Sequence, residues 1–138
     1  MSIARRLLVA VLLAATSLAA MAQGVVVYHI DEASVQALRA VRSIRNHLDT
    51  DEKARITVVT HADGVDFLMA GSKDRNGNEY ASLVSALVSR GVRFEVCELT
   101  LQQRGLKKDQ FILEAEFTPS GVVQIARLQH AGAAYIKP

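Results

Sequence analysis

The chain contains one cysteine, Cys97, at the point where Val92-Arg93-Phe94-Glu95-Val96 gives way to the helix-forming run Thr100-Leu101-Gln102-Gln103-Arg104. A thiol between a strand end and a helix N-terminus is a candidate nucleophile, because the positive end of the helix favours the thiolate. A free cysteine is also a common small core residue. On the residues alone both readings stand. His29 and His61 each close an apolar run, and a Cys–His pair is one way to activate sulfur; the alternative for each is an imidazole hydrogen-bonded to backbone at a strand end. Asp63 is placed to cap the short segment that follows it. Arg104 is placed either to pair with an anionic sulfur species or to stand as a solvated cation, and Ser120 sits with Thr118 and Pro119 at the end of another strand candidate. His47 and His130 fall on helical segments and read as surface residues. No ligand pair has the close spacing of a structural zinc site and the chain has one thiol, so neither a metal nor a cofactor is expected. The chain also lacks Gly-x-Gly-x-x-Gly, a Walker lysine loop, His-Glu-x-x-His and Gly-x-Ser-x-Gly, which removes the signatures of dinucleotide, nucleoside triphosphate, zinc-protease and esterase chemistry.

The elements that must position these groups alternate. Gly24 to Ile30 is short, β-branched and apolar on both faces, as a parallel strand covered on two sides should be. Ser34 to Asp49 carries Ala37, Val41, Ile44 and Leu48 on one stripe, which predicts an amphipathic helix. Arg55 to Thr60 repeats the strand signal, His61-Ala62-Asp63-Gly64 breaks it, and a short apolar piece, Val65 to Ala70, precedes a polar loop from Ser72 to Glu79. Tyr80 to Arg90 reads as a second helix ending at Gly91. In Val92 to Cys97 the apolar residues alternate with Arg93, Glu95 and Cys97, predicting one polar-tolerant face. A fourth strand falls within Ile112 to Thr118. A last helix is capped by Thr118 with Pro119 at its first position, and Ala133 to Ile136 closes the chain. This order predicts an α/β fold of three layers, an open, mostly parallel five-stranded sheet with helices on both faces. In such a sheet the strand ends share one edge, so His29, His61, Asp63, Cys97 and Ser120 are expected near one another, where doubly wound folds bind ligands.

Residues 1–22 read as a leader rather than as part of the fold. Arg5 and Arg6 precede an apolar run from Leu7 to Ala15, and Ala20-Met21-Ala22 supplies a cleavage pattern, so a secretory signal peptide is expected with a single mature domain at 23–138. The apolar stretch is shorter than the ~20 residues a spanning helix needs, and no stable membrane insertion is expected after cleavage. The expected location is periplasmic or secreted. Of 16 basic and 14 acidic residues, two arginines lie in the leader, so the mature domain carries equal numbers of each. A neutral domain without a basic, aromatic-laced stripe is a poor nucleic-acid binder. One cysteine closes no intramolecular disulfide, so stability must come from packing or assembly.

Val96-Cys97 followed by Arg104-Gly105, the stretch Pro119 to Gln129 and the terminal Gly132 to Pro138 together resemble the DsrE/DsrF-like family, particularly its exported small single-domain members. The resemblance spans the whole mature chain and is most specific toward the C-terminus. It implies a DsrE-like, flavodoxin-like sheet, assembly into a homotrimer or homohexamer, and a sulfur relay in which the cysteine after the third strand accepts sulfane sulfur as a persulfide and hands it to the next carrier, with a sulfur donor or acceptor protein as partner. Cys97 occupies that position. The leading expectation is therefore an exported sulfur-handling protein, a sulfurtransferase or sulfur carrier acting through Cys97. A non-catalytic oligomer that binds a small ligand, with Cys97 as packing, and a thiol redox sensor are the alternatives.

Overall fold

The computed structural model describes residues 24–138; the expected leader and the cleavage expected after Ala22 lie outside the described residues. Five strands form one sheet: β1 (Val25–Glu32), β2 (Arg55–Asp63), β3 (Arg93–Cys97), β4 (Ala115–Thr118) and β5 (Ala134–Ile136). They lie in the order β4-β3-β2-β1-β5 and every pairing is parallel. Four helices connect them: α1 (Ala33–Thr50), α2 (Tyr80–Val88), α3 (Glu98–Arg104) and α4 (Gly121–His130). No helix among the described residues is long and apolar enough to cross a membrane.

The apolar stripe of α1 reaches the core as its spacing predicts, with Ala37, Ala40, Val41, Ile44 and Leu48 buried. They pack with Val84 and Leu87 of α2, Leu101 of α3 and the Tyr28, Val58, Phe94 and Val96 side of the strands in one large cluster. The opposite face holds a smaller cluster of Val27, Val59, Ile125 and Ala133, and α4 supplies its helical cover. Handedness accounts for this asymmetry. The chain steps outward from β1 through β2 and β3 to β4, then α4 carries it back to the far side of β1, and right-handed crossovers in opposite directions place their helices on opposite faces. The direction therefore switches at β1 and β5. In open parallel sheets the ligand crevice lies outside the strand ends at such a switch.

Several local expectations change. The α4 cap is Ser120, whose hydroxyl accepts from the Val123 amide at 3.4 Å, so Thr118 and Pro119 precede the helix instead of opening it. Asp63 does not cap the following turn, which begins after Val65 without a side-chain cap. β1 and β2 both run past the residues expected to end them, to Glu32 and Asp63. The alternating face of β3 is open to water only at Arg93: Glu95 and Cys97 are buried, because β3 lies inside the sheet and α4 covers that side.

Candidate functional site

The carboxyl ends of β1, β2 and β3 bring His29, His61 and Cys97 to one edge. The register pairs Thr60 with Val96, which sets His61 and Cys97 side by side on the α4 face. Gly121, the first residue of α4, lies between them: a Cβ there would stand 3.2 Å from the Cβ atoms of both. This close approach brings the α4 N-terminus onto the thiol.

Cys97 is 5% exposed. Burial pushes its thiol up, but hydrogen bonds from the Gly121 amide, the Thr100 hydroxyl and the Thr100 and Leu99 amides outweigh it, and the net direction is below the ordinary thiol value. Thr100 is oriented for this role. Its hydroxyl accepts from the Ala62 amide at 3.0 Å, which leaves its one proton for the sulfur. Ala62 has φ +50°, in the left-handed region, and its carbonyl accepts from Arg104 Nη1 at 3.1 Å. That guanidinium also meets Asp66 at 2.8 Å and Asp63 at 3.8 Å. Arg104 thus fastens the β2 end loop to α3.

The histidines face each other. His29 Nε2 and His61 Nε2 are 2.6 Å apart, their rings stack with centroids at 4.8 Å, and Tyr135 Oη on β5 lies 2.6 Å from His29 Nδ1. Burial is the main cause that lowers both imidazoles, His29 to about 4, with Lys137 adding to each. Both rings are accordingly neutral at neutral pH. Asp31 stands two residues beyond His29 and pairs with Lys137 Nζ at 2.5 Å. Gln36 holds the end of β1, its Oε1 accepting from the Asp31 and Glu32 amides at 2.9 Å each.

The structure therefore gathers His29, His61 and Cys97 at one edge, with Ser120 in the adjoining turn, and turns Asp63 and Arg104 toward the loop that supports it. Among the described hydrogen bonds none joins an imidazole to the Cys97 sulfur; His61 points to His29 instead. Sequence reasoning missed Thr100, Gly121, Asp31, Tyr135 and Lys137. The His29-x-Asp31 spacing, which puts both side chains on one strand face, was the one local signal available. A groove of about 590 Å³ opens beside the β2 end, lined by Val35, Leu38, Phe67, Asp74 and Tyr80 among others, and neither Cys97 nor the histidines reach it.

A parallel α/β domain with one hydrogen-bonded thiol at its strand ends is the class of protein that fold and site define. The chain belongs to the DsrE/DsrF-like family, whose family model matches residues 9–138. Among solved structures it is similar to MTH1491 from Methanobacterium thermoautotrophicum, described as a protein of unknown function, with 37% identity over 83% of this chain and 99% of that one and a TM-score of 0.76. It also shares its fold with the ychN protein from E. coli, at 15% identity over 84% of this chain and 99% of that one, with a TM-score of 0.70. No curated protein matches the chain.

Proposed function

We propose that this protein is an exported sulfur carrier in which the Cys97 thiolate accepts sulfane sulfur as a persulfide and passes it on. The observation that carries the reading is the place of the sulfur at two helix N-termini: Cys97 directly precedes α3, and Gly121 at the start of α4 comes so close that a Cβ there would stand 3.2 Å from that of Cys97, surroundings that lower the thiol despite its burial. Two helix N-termini beside a neutral packing thiol would be largely wasted, whereas a thiolate or a persulfide anion uses them. In the transfer the thiolate attacks the outer sulfur of a donor persulfide R–S–SH. A bond forms between Cys97 Sγ and that sulfur, the sulfur–sulfur bond of the donor breaks, and the thiolate RS⁻ leaves with the electron pair. Delivery is the same displacement run toward an acceptor thiol, and neither direction needs an external oxidant.

Export through the leader and assembly into a homotrimer or homohexamer belong to the same proposal. Leu99, Val122 and Val123 are exposed apolar side chains around the Cys97 edge, a surface that a neighbouring copy or a relay partner would cover. Mass spectrometry of the native protein after incubation with a sulfane donor tests the reading. One added sulfur atom, removed by reductant and absent from Cys97→Ser, is expected. The 5% exposure of Cys97 favours the competing reading of a packing thiol, and that reading prevails if the native thiol takes up no sulfur and resists alkylation until the protein is unfolded.

A further inference from the structure

We propose that His29, His61 and Asp31 form a binding site for one divalent transition-metal ion of the zinc class. One ligand atom from each of these residues lies within 4.8 Å of those of the other two. Two ring nitrogens and a carboxylate are a donor set that zinc accepts, with a fourth position left open.

Three independent features of the fold converge on this point. First, β1 and β5 flank the position where the strand order reverses, which is where open parallel sheets hold ligands; His29 and Asp31 come from β1, and Tyr135 of β5 touches His29. Second, Tyr135 Oη engages His29 Nδ1 and leaves Nε2 directed into the cluster, the outer hydrogen bond that orients a ligating imidazole. Third, the β1–β2 register slips between Ile30 and Glu32, where β2 inserts an extra residue beside the left-handed Ala62. A bulge re-aims its neighbouring side chains, and here His61 points across to β1 rather than toward Cys97.

Occupation requires a small rearrangement. Two nitrogens on one tetrahedral zinc stand roughly 3.3 Å apart for bonds of ~2.05 Å, against 2.6 Å between the rings now. The imidazoles must part by roughly 0.7 Å, which side-chain rotation supplies. The proton now shared between the two Nε2 atoms moves to the Nδ1 of its own ring, so the histidines release none. Asp31 must exchange Lys137 for the ion, and Lys137 keeps its charge. The lysine is thus a built-in competitor that occupies the carboxylate when the metal is absent.

The ligands come from neighbouring strands, thirty-two residues apart in sequence for the histidines. That is why sequence spacing, which detects ligand pairs on one turn, predicts no metal here. The inference does not rest on sulfur transfer, and the test separates the two. Tag-free protein is titrated with zinc chloride by calorimetry and with cobalt(II) by visible absorption. One ion per chain and a tetrahedral cobalt spectrum are expected, with affinity reduced at least tenfold in His29→Gln and in His61→Gln. Lys137→Met should bind more tightly, a gain that misfolding does not produce, while His47→Gln, His130→Gln and Cys97→Ser should bind as the wild type does. Absence of saturable zinc binding, or binding that survives the double change His29→Gln/His61→Gln, overturns the site. Loss of binding in Cys97→Ser overturns the donor set.

Discussion

Replacing Gly121 by alanine tests whether the thiol's environment is built by helix α4. The new methyl would sit 3.2 Å from the Cβ atoms of both Cys97 and His61 and 3.4 Å from the Thr60 carbonyl oxygen, where carbon atoms prefer ~3.5–4.0 Å. Neither Cβ can rotate away, because each is fixed to a strand, so the first turn of α4 must lift by a few tenths of an ångström. Overpacking of this kind costs ~1–3 kcal/mol, and the better helix propensity of alanine returns at most ~1 kcal/mol, leaving a net loss of about 1 kcal/mol. The larger effect falls on the sulfur. Lifting α4 stretches the Gly121 amide away from Cys97, and one hydrogen bond to a charged acceptor is worth ~1.5 kcal/mol at the low end. The thiolate fraction at neutral pH should then drop about tenfold wherever the thiol is mostly protonated. The assay is the rate of iodoacetamide alkylation from pH 5.5 to 9, with folding checked by circular dichroism. The wild-type rate should level off at a lower pH than that of an ordinary thiol, and the Gly121→Ala profile should move upward in pH. A folded Gly121→Ala protein with an unchanged profile, or one that is more stable than the wild type, would refute the argument, since propensity alone would then be acting.

Thr100→Val keeps the shape but leaves the Ala62 amide unpaired and removes a donor from the sulfur, so it should cost ~1–3 kcal/mol in urea unfolding and slow alkylation at neutral pH; a variant as stable as the wild type would mean that the Thr100–Ala62 bond contributes nothing. Glu95 is buried chiefly at the expense of its charged form, which raises its carboxyl above 4.5 despite help from Gln124 and Arg93, and its Oε2 has no hydrogen-bond partner. The contribution of a raised carboxyl is fully present below its unfolded value near 4.5 and is lost as pH rises through the folded value. Glu95→Gln should therefore stabilise by about 1 kcal/mol at pH 8, or about 4 °C in Tm, with the gain shrinking toward pH 4. Arg93 retains Glu116 at 2.6 Å in either case, and a lower Tm for Glu95→Gln at pH 8 would show that the charge is needed where it is.

The order and kinds of elements were legible because each rests on a local signal: β-branched runs for the strands, the Ala37-Val41-Ile44-Leu48 stripe for α1, Gly91 and Gly132 for helix ends. The position of Cys97 at the end of β3 was legible for the same reason. Its environment was not, because the donors come from α3 and from Gly121, and a glycine beside Ser120 reads locally as flexibility rather than as the gap through which a helix reaches a strand. The burial of Glu95 was hidden for a related reason. Alternation along β3 gives the phase of its two faces but says nothing of what covers them, and α4, formed from residues about thirty positions later, covers the polar one. The imidazole pair required more still. Placing His29 beside His61 takes the β1–β2 pairing, and placing Tyr135 on His29 takes the return of α4 to the far side of β1. Each needs the strand order, a long-range property that parallel sheets fix through crossover direction and that no window of sequence contains. The thiol was therefore visible as a residue, while the groups that set its chemistry became visible once the sheet was closed around them.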